Sequence, residues 1–207
     1  MLSIVFSEWE DIVRRTILSF AVIAGFLAAT ALPAAAQAEG YEYKLLATNK
    51  TSTMQKEMNE AASAGFRFEA VMGGETSFGG KEAVVIMGRA RGGDAKQQYK
   101  YLLLATQKTG TMQKELQAAG DEGFESQGQT VFESTFGGQE VVCILERDLD
   151  VQPGRWEYKL LATKKTGTMQ KELSQMAAEG YIFVGVTVAE TAFGGKEVVT
   201  ITRRKSK

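Results

Sequence analysis

The sequence predicts an α+β fold of three tandem strand-helix-strand-strand units, each an antiparallel sheet covered by one helix. Three observations predict it. Tyr43–Arg89, Tyr101–Arg147 and Tyr158–Arg204 align without a gap, and self-similarity over about fifty residues marks one supersecondary unit used repeatedly. Each copy opens on YxLLATxKTxTMQKE, where a β-favouring run passes into a helical pattern. Each closes on a Gly-Gly pair followed by an apolar run ending in Arg, which reads as a hairpin. The units span 41–90, 99–148 and 156–205, and a pseudo-three-fold packing of the three is the expected arrangement.

Within a unit, Tyr43–Thr48 reads as a strand whose paired leucines face opposite sides. Thr53 or residue 52 is placed to cap a helix from Met54 to about Ala64, with Met54, Met58, Ala61 and Ala62 as its buried stripe. Gly65, Gly123 and Gly180 stand where a left-handed residue ends a helix, each followed by an aromatic, Phe66, Phe124 or Tyr181. A second strand is expected over Arg67–Ser77 and a third over Glu82–Arg89, joined by a tight turn at Gly79 and Gly80. The third strand (AVVIM, VVCIL, VVTIT) is the most continuously apolar, which puts it in the middle of the sheet. Ala90–Gln98 and Asp148–Arg155 are too short to let the units move as independent domains.

Residues 1–37 read as a secretory leader. Arg14 and Arg15 precede an apolar run from Ile17 to Leu32, then Pro33 and small residues, with cleavage expected near Ala36 or Ala38. Glu8, Glu10 and Asp11 are foreign to the head of such a leader and place the expected translation start nearer Val13. The expected location is therefore periplasmic or secreted, with membrane contact only through an uncleaved leader. Removing the leader takes away three acidic and two basic residues and leaves 22 of each. A neutral chain lacks the cationic excess that nucleic acid requires.

The sole cysteine, Cys143, aligns with Val85 and Thr200 and reads as a small core residue. With no histidine, the commonest metal ligand and general base is missing. No catalytic residue, metal ligand or cofactor site is expected.

The pattern resembles a family of small bacterial domains of unknown function. The residues that carry the resemblance are Tyr43, Lys44 and Leu45, then Glu57, Met58 and Asn59, then Gly65 and Phe66, and finally Val84, Ile86 and Arg89, with their equivalents in the other copies. The resemblance implies a strand-helix-hairpin fold and no activity. This chain departs from it by placing Phe or Tyr where the family often has Trp after the glycine, and by adding the TMQKE and FGG signatures.

Drift between the copies is uneven, and this supplies the candidate site. Thr53, Gln55 and Lys56 recur as Thr111, Gln113 and Lys114 and as Thr168, Gln170 and Lys171, while the helix residues behind them diverge. At the hairpin, Glu75, Gly79 and Gly80 recur as Glu133, Gly137 and Gly138 and as Glu190, Gly194 and Gly195. Both clusters are expected at one pole of the unit. One reading is a seam between units, filled by Met54 and Phe78. A second is a site for a small anionic ligand at the helix N-terminus. A third uses Glu75 and Glu82, expected on one sheet face, for calcium binding or as an acid pair in a hydrolase. Tyr43, Tyr101 and Tyr158 are expected to seal the sheet edge.

The function expected from the whole is an exported, non-enzymatic binding or interaction module of the bacterial envelope, its partner a small anion or an envelope protein. The alternatives are an assembly protein that oligomerises through exposed sheet edges, and a glutamate-based hydrolase.

Overall fold

The computed structural model describes residues 40–75, 81–93, 96–133, 139–190 and 196–206. The expected leader, 1–37, lies outside the described residues. Gly40–Lys207 form one compact body. Unit 1 contributes β1 (Tyr41–Thr48), α1 (Thr51–Ser63), β2 (Arg67–Glu75) and β3 (Lys81–Ala90). Unit 2 contributes β4 (Tyr99–Thr106), α2 (Thr109–Asp121), β5 (Glu125–Glu133) and β6 (Gln139–Asp148). Unit 3 contributes β7 (Trp156–Thr163), α3 (Thr166–Ala178), β8 (Ile182–Glu190) and β9 (Lys196–Lys205). Each unit is an antiparallel three-stranded sheet with its last strand in the centre, ordered β1-β3-β2, β4-β6-β5 and β7-β9-β8.

The helices begin earlier than the cap pattern predicts. Thr51, Thr109 and Thr166 open them, so Thr53, Thr111 and Thr168 sit in the first turn, and the lysine at each cap position gives no side-chain bond. The threonine that closes the first strand takes over the work. Thr48 Oγ1 and Thr106 Oγ1 accept from the Lys50 and Lys108 N–H groups at 3.2 Å, and Thr163 Oγ1 accepts from Lys165 at 3.3 Å. A hydroxyl-closed turn of this kind leads the chain directly from strand to helix.

The helix ends follow the expectation. Gly65, Gly123 and Gly180 have φ of 83°, 85° and 83°, the left-handed region that carries a Cβ penalty for other residues. The amides of Gly65 and Phe66 return to the carbonyls of Ala62 and Ala61 at 2.9 and 3.1 Å, and the other two helices close in the same way. The arginine that ends each unit completes the lock. Arg89 lies 4.5 Å over the Phe66 ring and donates to the Ala64 carbonyl at 2.7 Å; Arg147 and Arg204 do the same to Phe124 with Glu122, and to Tyr181 with Glu179. A cation there satisfies a free carbonyl and opposes the negative end of the helix dipole. The repeated Gly-aromatic step and the distant repeated Arg are thus one device.

The hairpin register differs from the expected one. Glu75 pairs with Lys81 and Gly74 with Glu82, whereas a two-residue turn at Gly79 and Gly80 would pair Ser77 with Glu82. The displacement is an odd number of residues, and a strand alternates faces at every residue, so the argument that put Glu75 and Glu82 on one face fails. Units 2 and 3 keep this register, with Glu133 opposite Gln139 and Glu190 opposite Lys196. The connecting residues 76–80, 134–138 and 191–195, with all six turn glycines, lie outside the described residues. A bulge near the start of β2, β5 and β8 is likewise common to all three units.

The cores lie between units. One joins Met54, Met58, Val85 and Met87 of unit 1 to Tyr101, Val142 and Ile144 of unit 2; the other joins Met112, Leu116, Cys143 and Leu145 of unit 2 to Tyr158, Val199 and Ile201 of unit 3. The middle sheet is consequently buried on both faces. Helix α1 covers β1 of its own sheet and lies along β4 of the next unit, and α2 lies in the same way along β7. Among the described residues, units 1 and 3 make no extensive contact with each other. The three copies therefore form an open row.

Burial drops in unit 3. Of the helix stripe, α1 and α2 bury four residues each but α3 buries Met176 alone. Alanine at Gly180, whose Cβ would meet nothing within 4 Å, is expected to lower the urea midpoint by the equivalent of about 1 kcal/mol, the cost of a left-handed backbone. Alanine at Gly123 is expected to cost more, because its Cβ would lie 2.5 Å from Pro153 Cβ.

Candidate functional site

The first strand of units 2 and 3 is an edge strand whose outward N–H and C=O groups need partners. The preceding helix supplies them as side-chain amides one turn apart. Leu103 N–H donates to Gln55 Oε1 at 2.9 Å, while Asn59 exchanges both its bonds with Tyr101, Oδ1 accepting and Nδ2 donating at 3.0 Å. In the second seam, Gln113 accepts from Leu160 N–H at 2.8 Å and donates to the Tyr158 carbonyl at 2.9 Å. Gln117 accepts from Tyr158 N–H at 3.1 Å and donates to the Trp156 carbonyl at 3.2 Å. The two amides act together as a substitute strand. This gives the glutamine of the TMQKE signature its role, which is contact between units.

The strand also sends a tyrosine back into the unit before it. Tyr101 and Tyr158 are each 1 % exposed. The Tyr101 hydroxyl accepts from Phe68 N–H and donates to Glu146 Oε2, both at 2.8 Å. The Tyr158 hydroxyl accepts from Ser126 N–H at 2.8 Å and donates to the Phe124 carbonyl at 3.0 Å. Burial pushes the Tyr158 hydroxyl up to about 12. Burial and then the Glu146 carboxylate raise that of Tyr101 as well. The expected edge-sealing role is thus replaced by insertion between units.

An ion pair closes each seam, with opposite polarity in the two. Arg67 of unit 1 reaches Glu146 of unit 2, Nη2 to Oε1 at 2.8 Å, and stacks 4.4 Å from the Tyr99 ring centre. In the second seam Glu125 of unit 2 pairs with Arg203 of unit 3, which lies 4.8 Å from the Trp156 ring centre. Arg67 and Glu125 occupy aligned positions, as do Glu146 and Arg203. Arg67, Glu146, Glu125 and the rings of Tyr99 and Trp156 border a cleft of about 420 Å³ beside the linkers, at the pole opposite the helix N-termini. Invariance between copies does not reveal it, because its charged residues change reciprocally from seam to seam.

The other predicted site residues are placed as follows. Lys56 is exposed and 3.7 Å from Glu60, a surface pair worth little; Lys114 and Lys171 are also exposed, Thr53 is half-buried, and Thr111 and Thr168 are exposed. Gln55 and Gln113 enter the seams, while Gln170 bonds Ser174 on its own helix at 3.3 Å. Glu75, Glu133 and Glu190 end β2, β5 and β8, and Gly79, Gly80, Gly137, Gly138, Gly194 and Gly195 lie outside the described residues. Met54 and Met112 are core residues, and burial holds the Cys143 thiol up at about 12 beside Met112. Among the described residues no three acidic or thiol groups converge.

No protein-family model matches the chain, and no curated protein or solved structure is detectably similar to it. The reading of the site therefore rests on its own geometry.

That geometry separates the glutamines from the lysines beside them. Gln113→Ala, which leaves a strand N–H and C=O without their partners, is expected to cost about 1–3 kcal/mol. Gln170→Ala and Lys114→Ala are each expected to fall within about 0.5 kcal/mol of the parent, as measured by urea unfolding.

The buried tyrosines give a pH dependence of known sign. An unfolded tyrosine ionises near 10, whereas folded Tyr158 holds its proton to about 12. Between these values the unfolded chain binds fewer protons, so the stability contributed is complete below about pH 10 and is lost as pH rises toward 12. Urea titrations across this window should show a shallower fall in Tyr158→Phe than in the parent.

Proposed function

We propose that the protein is an exported, non-enzymatic interaction module of the bacterial envelope, which makes protein–protein contacts through the two ends of its row of units. One observation carries this reading: Tyr43 is 68 % exposed, whereas its equivalents Tyr101 and Tyr158 are 1 % exposed. Around it, β1, β2 and β3 expose Tyr41, Leu45, Met72 and Ile86 on the sheet face that units 2 and 3 bury. At the other end β8 exposes Ile182, Phe183, Val186 and Val188. Contiguous exposed apolar surface of this kind marks an interaction site. Terminal units of a repeat array that stays alone in solution carry polar outer faces instead. Export rests on the leader pattern at 14–36. The reading assigns the helix N-terminal lysines no binding role.

Native mass spectrometry of the protein taken gently from envelope or medium tests this. The expected result is a protein complex that is lost in Tyr43→Ser, with the melting temperature of the chain unchanged. A bare monomer, or a monomer carrying a small anion that is lost when Lys56, Lys114 and Lys171 are changed together to Ala, would overturn it.

A further inference from the structure

We infer that the partner at each end is a second copy of the same chain, joined head to tail so that unit 3 of one copy meets unit 1 of the next across a repetition of the internal seam. This rests on the interaction reading above and specifies its occupant. The ground for it is continuity: the two open faces are the two halves of a surface that the molecule already closes twice within itself.

The halves match position by position. The receiving half is the outer face and free edge of β1, where Tyr43 and Leu45 correspond to Tyr101 and Leu103 of unit 2. The inserting half is α3 with the start of β8. Gln170 and Ser174 occupy the positions of Gln55 and Asn59, whose amides hold the next strand. Without a next strand they bond each other. Phe183 occupies the position of Phe68, whose backbone N–H donates to the inserted tyrosine at 2.8 Å. In the joined pair, Tyr43 of one copy enters beside Phe183 of the other, and Gln170 takes the N–H of Leu45. A free edge strand flanked by apolar side chains is a template for such addition.

The charges agree with this choice of partner. The internal seams are closed by Arg67 with Glu146 and by Glu125 with Arg203. At the aligned positions of the open ends stand Ile182 and Gly88, so no like charges face each other there; the exposed Glu69 carboxylate lies beside Gly88. An apolar side chain facing a glycine is a compatible third pairing, distinct from the other two.

Two differences make the contact between copies looser than the internal seams. Phe68 packs so closely on Gly128 that a Cβ there would lie 2.9 Å from the ring, and the corresponding residue of unit 1 is Ala70. Ser174 is too short to do all that Asn59 does. The association is therefore reversible and concentration-dependent. Such a contact is heterologous, closing into a ring or extending as a filament according to the rotation it imposes.

Sedimentation velocity of the purified exported protein over a hundredfold concentration range tests the proposal. Expected are species larger than the monomer that grow with concentration, disappear in Tyr43→Ser and in Phe183→Ser, and form at several-fold lower concentration in Ser174→Asn, which restores the second amide. Thermal melts showing that these exposed-site variants stay folded accompany the measurement. A monomer throughout, unaffected by Ser174→Asn, overturns self-association. If native spectra then still show a heteromeric complex sensitive to Tyr43→Ser, the interaction reading survives without its self-partner. If they show none, both readings fall together.

Discussion

The rest of the structure depends on one constraint: no unit encloses its own core. A single helix on a three-stranded sheet leaves one sheet face and part of the helix uncovered; in this chain the helices of units 1 and 2 are covered by the unit that follows, and the bare sheet faces of units 2 and 3 by the unit before. Tyr101 and Tyr158 are the clearest expression of it, because each ring is buried in a unit other than the one whose strand carries it. A side chain of that size contributes on the order of 2 kcal/mol when taken from water, and its hydroxyl satisfies a backbone amide that would otherwise be left buried and unpaired. Stability is thus a property of neighbours, as it is in solenoid arrays whose repeats depend on nearest-neighbour interfaces.

The seams also fix the order of the units. The side-chain amides of Gln55 and Gln113 are common to both seams and carry no information about which unit comes next. The ion pairs do carry it, because the polarity alternates: an arginine meets a glutamate at the first seam, and a glutamate meets an arginine at the second. Had unit 1 packed onto unit 3 instead, Arg67 would have faced Arg203, and two cations would have been brought together at the seam. Discrimination of this kind works as much through the rejected pairing as through the accepted one. Glu146 is buried and pairs with both Arg67 and the Tyr101 hydroxyl, so losing any of the three leaves a charge or a donor exposed to an apolar environment.

Much of a single unit was legible in the sequence because local chemistry decides it. The stripe Met54, Met58, Ala61 and Ala62 is the buried set of α1; the left-handed glycines end the helices, and the most apolar strand is central. What escaped was set by neighbours or by geometry that composition does not report. Thr53 looked like a cap, but the cap position is Lys50, three residues earlier, and the hydroxyl of Thr48 organises the turn into it. Gly79 and Gly80 looked like a complete two-residue turn, but the register sets Glu75 opposite Lys81 and Gly74 opposite Glu82, which moves the glutamates out of their expected relation. The candidate pole is marked by invariance between copies. Invariance there mixes the seam glutamines with lysines that face solvent, and alignment alone cannot separate them.

The end units show how a change of neighbour changes the residues a position requires. Val85 and Cys143 fill the seams beyond their sheets, and the aligned residue of the last unit is Thr200; Met87 and Leu145 likewise give way to Thr202. Both threonines are buried under α3, and Thr202 Oγ1 donates to the Lys159 carbonyl at 3.0 Å. Polar residues are tolerated there because within one chain only α3 closes that face, and the two hydroxyls find partners inside unit 3. If the row were built to end in solvent, the same relaxation would be expected on the outer residues of β8 and β1, which face water directly. It did not occur: Phe183, Val186, Tyr43 and Leu45 remain aromatic or aliphatic at positions of high exposure. A polar interior beside an apolar exterior is the reverse of what a free end requires. It is the arrangement expected of an end whose outer surface is covered when the protein works.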